Sequence, residues 1–459
     1  MTRTVLLMVH EFPPAGGGGV QRMAKFARYL PESGWTPVVL TSAPGRGRPI
    51  DESLLAEVQD VTALRLPQRR VSTLFATALA PLKRVRSSPN VNASASAGAA
   101  TGTSTSTSAS AAAGTTTAPG ANTNAARSLP PLSTRLARCI SMDDASWWAI
   151  SAARAGVAFG RAHNVQAVVA SGPPFSVTGA GMRLARRLQV PLVVDMRDGW
   201  RDNPVAWFPS ARGRRRALAA ERAVMAQADL VLATTEVIAG EARELGARDV
   251  RVLPNGYDAT DLANHKPDPH GPLRLTFMGK IYRNLTEPWN LFAALAQARE
   301  LRPDLDIRLD VIGDASNEVR GVASESRLAD KIDFTGYLPH REALERVAQA
   351  DVAVALIADR PGAKGPIAGK MFEYLAIGLP TLALAPVDGE AARLVTALSA
   401  GWVVAPHDVA AITARIIDLA ESKRRGSLGV TIDPAAVARY DRRALSAELA
   451  SALNEVTSK

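Results

Sequence analysis

Four consecutive glycines stand between an apolar run, TVLLMV, and a pattern typical of a helix; they are Gly16, Gly17, Gly18 and Gly19. Glycine has no Cβ, so backbone N–H groups can come close to a ligand, and the start of a helix favours negative charge. The spacing differs from a G-x-G-x-x-G dinucleotide fingerprint, because the loop continues V-Q-R without a further glycine. The loop therefore predicts close contact with a phosphate or a sugar; a flexible turn without a ligand is the alternative.

A second group of charged residues follows the apolar run LRLTFMG, which predicts a strand ending near Gly279. Lys280 and Arg283 come directly after that glycine. Two cations and a glycine at the end of a strand suit a diphosphate, whereas a solvated basic turn is the alternative interpretation.

The stretch GAKGPIAGKMFEYLAIGLP predicts a glycine-rich loop followed by a short helix that begins near Gly369. Lys370 and Glu373 are three residues apart, so they share one face of that helix near its start. A carboxylate in this position can accept both hydroxyls of a ribose diol; an intrahelical surface pair is the alternative. The stretch is not a P-loop, because Lys364 and Met371 stand where that motif needs glycine and a hydroxyl residue.

These groups belong to a chain in which apolar runs alternate with helical patterns, and this predicts parallel sheets. The fold class is therefore α/β, with two Rossmann-like, doubly wound domains facing each other across a cleft. We expect a first domain over residues 1–265, a polar linker, NHKPDPHGP, and a second domain over residues 271–432. Residues 433–459 predict a C-terminal helix that packs back toward the first domain.

The composition is ordinary for a globular protein of 459 residues, with 47% apolar and 21% charged residues. The single cysteine, Cys139, excludes a disulfide framework and favours a reducing compartment. No secretory signal and no apolar stretch near 18 residues is visible, so we expect a cytoplasmic protein.

Residues 87–127 are almost all Ala, Ser, Thr, Gly and Asn, which predicts a disordered insert in the first domain.

Taken in order, several motifs resemble those of the retaining glycosyltransferases of family four, which have the GT-B fold. The motifs are FPPAGGGGVQR, ASGPPFS, VVDMRDGW, ADLVLATTE, VLPNGYD, FMGKIYR and GKMFEYLAIGLPTLAL. The resemblance covers nearly the whole chain outside the insert. It implies transfer of a sugar from a nucleotide-sugar donor to a saccharide or lipid-linked acceptor, with retention of configuration, in cell-surface polysaccharide biosynthesis. It also implies that no metal or other cofactor is needed.

The resemblance further implies a role for each group, carried over by position. The first domain would bind the acceptor, and the loop at Gly17, Gly18 and Gly19 would lie against the donor phosphates and sugar. In the second domain, cations would neutralise the diphosphate, a carboxylate would hold the ribose and a main-chain segment would grip the base. These residues are Lys280, Arg283 and Lys370, then Glu373, then Gly336 and Tyr337, with Gly279 and Gly369 in the adjoining loops.

The chain departs from the family pattern at two places. Many members have an E-x7-E pair, of which Glu373 matches the second acid whereas Gly365 replaces the first. Many also have a His-Asp pair where this chain reads MRD. Arg197 takes the place of the histidine, so Asp195 and Asp198 become the acidic candidates near the reacting centre. Arg197 could pair with a carboxylate or an acceptor phosphate; a structural Arg–Asp cluster is the alternative.

The net charge of +10 is concentrated in the first 250 residues, which carry a balance of +12. No nucleic-acid module or basic-aromatic interleaving is present, so no nucleic-acid partner is expected. The segments 212–229 and 71–86 combine cations with apolar residues, which favours peripheral contact with an anionic inner-membrane surface. A solvated basic face is the alternative for each segment.

Two other functions stay open. A nucleotide-sugar epimerase on the same scaffold would isomerise or hydrolyse its donor without an acceptor. A non-catalytic, glycosyltransferase-like subunit would organise a sugar-assembly complex, and the missing first acid keeps this option open. Lys280, Arg283, Lys370 and Glu373 argue against it, because a decayed site has no reason to keep them.

Overall fold

The computed structural model describes residues 3–45, 50–68, 142–200, 210–281, 286–360 and 362–459. Within these ranges the chain forms thirteen strands, numbered β1 to β13 in chain order: Arg3–Met8, Trp35–Ser42, Thr62–Leu66, Val165–Gly172, Leu192–Met196, Leu230–Ala233, Val250–Val252, Leu273–Met278, Ile307–Ile312, Ile332–Gly336, Val352–Leu356, Thr381–Leu384 and Gly401–Val404.

The same ranges contain fourteen α-helices, numbered α1 to α14: Gly18–Tyr29, Glu52–Ala56, Ser146–Ala162, Ser176–Leu188, Ala211–Gln227, Glu236–Glu244, Trp289–Leu301, Asn317–Glu325, His340–Val347, Gly369–Ile377, Glu390–Ala397, Val409–Arg424, Pro434–Ala438 and Arg442–Thr457. Short 3₁₀ turns occupy Leu30–Ser33 and Ala259–Asp261.

The strands form two parallel sheets, one in each domain. The first sheet has the order β3-β2-β1-β4-β5-β6-β7, and the second has the order β10-β9-β8-β11-β12-β13. In each sheet the strand order reverses next to the first strand, between β1 and β4 and between β8 and β11. Ligands of open α/β sheets bind at such switch points. The predicted fold class, with two Rossmann-like domains, is confirmed.

The central strands are apolar along their whole length because they are covered on both faces. On β1, Val5 and Leu7 face one core cluster, whereas Leu6 and Met8 face another, and none of the four is exposed to solvent. This explains why the sequence shows continuous apolar runs instead of an alternating pattern.

The apolar runs of the sequence do not predict two of the edge strands. In addition, one predicted helix is two separate helices in the structure. β3 and β13 lie at sheet edges and are only partly buried, so they lack a strong apolar run. The helix expected near residues 434–456 is two helices, α13 and α14, separated at Arg439–Asp441. The break has a structural cause, because Asp441 caps α14 through its side chain, which accepts a hydrogen bond from the Arg443 N–H at 2.7 Å.

The chain crosses between the domains twice, and the two crossings run side by side. Tyr257 N donates to Tyr440 O at 3.1 Å, and Arg442 N donates to Tyr257 O at 2.8 Å. A Cβ at Gly256 would lie only 2.0 Å from Tyr440 O, so a residue without a side chain is needed there. We call this paired segment, residues 256–257 with 440–442, the double crossing.

Beyond the double crossing, α14 packs against the first domain. Its buried residues Leu445, Leu449 and Leu453 belong to the same core cluster as β1 and α1. Trp35 Nε1 also donates to Asn454 Oδ1 at 3.0 Å. The last helix is thus a structural part of the first domain.

Several predictions concern segments outside the described residues. These are the disordered insert at residues 87–127, the basic segment 71–86 and the cation Arg283. In the described part of the chain, no helix is long and apolar enough to cross a membrane.

Candidate functional site

The glycine loop after β1 leads directly into α1, as the sequence predicts. Gly17 has a φ of 115° and Gly18 begins the helix. A Cβ at Gly17 or Gly18 would meet nothing within 4 Å. Gly17 is therefore required for its backbone conformation, whereas the space at Gly18 is compatible with a ligand approaching the helix start.

Arg197 joins this loop to the loop that follows β4. Its guanidinium donates hydrogen bonds to the main-chain oxygens of Gly19 and Pro173, and Nε donates to Gly172 O at 3.4 Å. Burial lowers the pKa of Arg197. The observed partners are carbonyl groups instead of the carboxylate considered above, so in this state Arg197 holds two site loops together.

Asp195, the other acidic candidate, lies inside the first domain. Its carboxylate has no solvent exposure and lies 2.8 Å from Arg22 Nη2, while Ser171 Oγ donates to its other oxygen at 2.7 Å. Arg22 also binds the Leu253 carbonyl, at 2.9 Å. Because both oxygens are engaged inside the domain, Asp195 links α1, β4 and β5 in this structure, and its predicted catalytic role stays a prediction.

Asp198 keeps the position expected of an acidic candidate. It follows β5 directly and its side chain is partly exposed. Burial raises the pKa of Asp198, and the neighbouring Arg197 offsets part of that effect. A carboxyl group with a raised pKa is a candidate for proton transfer.

In the second domain, glycines end three adjacent strands at the carboxyl edge of the sheet. Gly279, Gly313 and Gly336 follow or end β8, β9 and β10 with φ values of 119°, 135° and 77°. A Cβ at Gly313 would lie 2.4 Å from Gly279 O, so these turns pack backbone against backbone. Next to them, Lys280 is exposed and Tyr337 is 47% exposed.

Lys370 lies beside the first of these turns. Its Nζ is 3.6 Å from the centroid of the Phe277 ring and would be 3.6 Å from a Cβ placed on Gly279. Burial lowers the pKa of Lys370 to about 7. A lysine in this state gains its charge readily when an anion arrives.

Glu373 pairs with His340 instead of Lys370. His340 Nε2 lies 3.2 Å from Glu373 Oε1, and Glu373 is 8% exposed. Burial opposes both charges, but the pair outweighs it, so the pKa of His340 is raised and that of Glu373 is lowered. On the same helix, Tyr374 Oη accepts a hydrogen bond from Met278 N at 2.9 Å and fixes α10 to β8.

Gly365, which replaces the first acid of E-x7-E, lies against the first domain. A Cβ at this position would be 3.2 Å from Val237 Cγ1 on α6. A glutamate would therefore crowd the contact between the domains in this state. A cavity of about 440 Å³ at the contact is lined by both domains, with Glu241, Arg360 and Lys364 among its charged residues.

The structure thus gathers the described second-domain candidates around the ends of β8 and β10 and the start of α10. Sequence reasoning missed His340, Gly313 and Phe277, whose partners are distant along the chain. Another missed contact is the pairing of Arg22 with Asp195. The run LVVDM offered a signal for it, because a buried carboxylate requires a charged or hydrogen-bonding partner. The predicted roles in donor binding stay predictions, including that of Arg283.

The strand orders and facing glycine-rich edges define a protein with the GT-B fold. The glycosyl transferase 4-like domain matches residues 17–256, and the model for glycosyl transferases group 1 matches residues 272–422. The chain belongs to the glycosyl transferase 4-like family.

The chain is also similar to proteins of known sequence and to solved structures that share its fold. The chain is 26% identical over 199 residues to WcaL of Salmonella typhimurium, a protein named for colanic acid biosynthesis as a glycosyltransferase. The match covers 41% of this chain and 47% of WcaL, so the chain spans about half the length of the curated relatives it matches. The fold is similar to Anabaena Alr3699/HepE in complex with UDP, with a TM-score of 0.61, 14% identity and coverage of 99% and 100% of the two chains. It is also similar to a glycosyltransferase from Rickettsia africae, with a TM-score of 0.62, 13% identity and coverage of 99% and 98%.

Proposed function

We propose that this protein transfers a sugar from a nucleotide-sugar donor to a saccharide or lipid-linked acceptor in polysaccharide biosynthesis. The observation that carries the proposal is the start of α10, where Lys370 lies beside the glycine turn that ends β8 and Glu373 follows on the same helix, paired with His340. This places a titratable cation and a carboxylate at a switch point, where a diphosphate and a ribose diol would find suitable partners. The family and the relative named for colanic acid biosynthesis support the same activity.

The proposed chemistry relies on electrostatic stabilisation of the departing nucleoside diphosphate. Lys280 and Lys370 would oppose the charge that develops on the phosphates, and the start of α1 would face the same charge from the first domain. We propose that no metal is required and that configuration at the anomeric carbon is retained. The structure of a similar fold in complex with UDP makes UDP the first nucleotide to test.

The acceptor is proposed to bind on the first-domain side of the cleft. Asp198 is the acidic candidate there, and Arg197 shapes the adjoining loops through Gly19 and Pro173. The cavity next to Gly365, of about 440 Å³, has the charged side chains of Glu241, Arg360 and Lys364 in its lining, and these could hydrogen-bond the hydroxyl groups of an acceptor.

Peripheral membrane contact is the third element of the proposal. Arg214, Arg215 and Arg216 are exposed on the first turns of α5. Clustered cations of this kind attract anionic lipid surfaces, and a lipid-linked acceptor would be concentrated there.

The deciding experiment is incubation with a panel of nucleotide sugars, after a thermal-shift screen against UDP, GDP, ADP and dTDP. Release of nucleoside diphosphate with sugar transferred to an added acceptor supports the transferase, and NMR of the glycoside reports its anomeric configuration. An isomerised nucleotide sugar would identify an epimerase. Neither product, with no stabilisation by any nucleotide, would favour a scaffold subunit and overturn the proposal. Repeating the assay after treatment with a chelator tests whether a metal is needed.

A further inference from the structure

A partly buried ion pair joins two helices of the second domain at the predicted donor site. Nε2 of His340, the first residue of α9, lies 3.2 Å from Oε1 of Glu373 on α10, and the two side chains are 22% and 10% exposed. Among the residues that the structure describes, His340 is the one cationic group within ion-pair distance of Glu373. His340 therefore engages one carboxylate oxygen of Glu373 directly.

Packing fixes these two helices relative to each other. Leu344 of α9 and Tyr374 of α10 belong to the same core cluster, and neither is exposed to solvent. Tyr374 follows Glu373 directly, and the hydrogen bond from Met278 N fixes its side chain to β8. The position of His340 relative to Glu373 is therefore set by the core of the second domain.

The start of α9 is also tied to the linker between the domains. Arg341 Nη2 donates to Thr260 O at 3.3 Å, in the 3₁₀ turn that precedes the second domain. The same turn is bound to the first domain, because Lys25 Nζ on α1 lies 2.7 Å from a carboxylate oxygen of Asp261. A chain of contacts thus runs from the first domain through the linker to the residue next to His340.

Burial alone would raise the pKa of Glu373 and lower that of His340, because it disfavours both charged forms. The attraction between the two groups is the first effect that opposes burial in each case, and the pKa of Glu373 is lowered whereas that of His340 is raised. Both groups are therefore charged between these two pKa values. The other titratable groups in electrostatic reach of the pair are Lys25, Asp261, Lys370, Tyr374 and Arg442.

We propose that His340 is a positioning residue of the donor site, which keeps Glu373 ionised and oriented for a ribose diol. The inference rests on the proposed function, because it assigns Glu373 to nucleotide binding. His340 acts through Glu373 and does not itself touch the ligand. A buried carboxylate without this partner would become neutral in mildly acidic solution, and it would then accept hydrogen bonds from hydroxyl groups less strongly. His340 thus extends donor binding to lower pH.

The test is UDP binding by titration calorimetry between about pH 4.5 and 7, roughly the interval between the ordinary pKa values of glutamate and histidine. GDP, ADP and dTDP are replacements if one of them is the nucleotide that binds. His340→Gln keeps an N–H donor at this position but removes the positive charge. The ratio of wild-type to variant affinity should rise as the pH falls, by up to about tenfold per pH unit. It should level off at the ratio that Glu373→Gln shows, because glutamine imitates the protonated carboxyl group.

Three further variants separate positioning from a purely structural role. His340→Lys carries a fixed charge and should restore most of the wild-type profile. His407→Gln is the matched control, since His407 is an exposed histidine of the same domain, and its profile should follow the wild type. In a Glu373→Gln background, His340→Gln should change UDP affinity less than about twofold, because the partner charge is already gone.

A structural role alone would weaken binding equally at every pH and in both backgrounds. An affinity ratio that is independent of pH, or a loss that persists in the Glu373→Gln background, would overturn the inference. If His340→Gln lowers the melting temperature below the temperature of the assay, His340→Asn is titrated in the same way. Absence of nucleotide binding by the wild type contradicts the proposed function itself. Weakening by Glu373→Gln, together with an unchanged pH profile for His340→Gln, contradicts the inference alone.

Discussion

The ammonium of Lys370 lies 3.6 Å from the centroid of the Phe277 ring, at the end of the strand that opens the second domain. The ring favours the charged form, but burial dominates and leaves the pKa of Lys370 at about 7, against an ordinary value of 10.5. Below that pH the lysine is charged in the folded protein, and above it the lysine is neutral. A bound diphosphate would raise its pKa again.

Binding of UDP at pH 8 should therefore take up a proton at Lys370. The affinity should fall above pH 7 by up to about tenfold per pH unit, the limit for one linked proton. Calorimetry in two buffers of different ionisation enthalpy measures the uptake. Lys370→Met should abolish it, whereas Lys364→Met, which removes an exposed lysine paired with Asp388, should not. A binding heat independent of the buffer at pH 8 would contradict this prediction.

Glu373→Gln should weaken nucleotide binding by about 1–3 kcal/mol, the scale of a hydrogen bond to a charged group. The melting temperature should change little, because glutamine keeps the size of the side chain next to His340. Glu448→Gln on the exposed face of α14 is the control. Equal UDP affinity in the two variants would remove Glu373 from the site.

Alanine substitutions at Gly17 and Gly18 should distinguish the effect of backbone strain on stability from the effect of lost ligand contact on binding. Gly17→Ala places a Cβ at a φ of 115°, which should cost about 1–3 kcal/mol of unfolding free energy although the side chain has room. Gly18→Ala lies in the helix and should be neutral or stabilising by up to about 1 kcal/mol. If the loop contacts the donor, Gly18→Ala should nevertheless weaken donor binding. Undiminished binding by a well-folded Gly18→Ala variant would place the donor elsewhere.

The two aspartates at the end of β5, Asp195 within the strand and Asp198 just beyond it, should behave differently. Asp195→Asn leaves the buried Arg22 without its charged partner, so we expect a loss of about 3–5 kcal/mol of unfolding free energy. Asp198→Asn should change stability far less but lower the turnover of sugar transfer. Denaturant unfolding and steady-state kinetics on both variants check this. A stable Asp195→Asn protein with lost turnover would return Asp195 to the catalytic group.

Replacing Arg214, Arg215 and Arg216 by serine should cost up to about 3 kcal/mol of affinity for anionic vesicles, at about 1 kcal/mol for each cation. The effect should shrink at high salt, because the attraction is screened within a Debye length. Co-sedimentation measures it, with a serine triple at the second-domain residues Arg308, Arg424 and Arg425 as the control. Wild-type protein that stays in the supernatant at low salt would show that the membrane proposal is wrong.

Much of the fold could be predicted because buried parallel strands leave continuous apolar runs. The edge strands β3 and β13 could not, because their side chains are mostly only partly buried and leave no long apolar run. In the site, Gly279 was visible because it follows a strand directly, and Lys370 was visible because it stands where a glycine-rich loop leads into a helix. His340 was not visible, because its pairing with Glu373 depends on how separate helices pack.

The double crossing has a consequence for how the molecule is made. Leu445, Leu449 and Leu453 fill the first domain's core, yet the ribosome adds them after the entire second domain. The face of the first domain that α14 covers stays exposed while the second domain is synthesised. The core of the first domain is complete only after α14 has been made and has packed on it. In a two-domain chain the domains usually fold one after the other during translation. Here the second domain can therefore complete its fold before the first domain can.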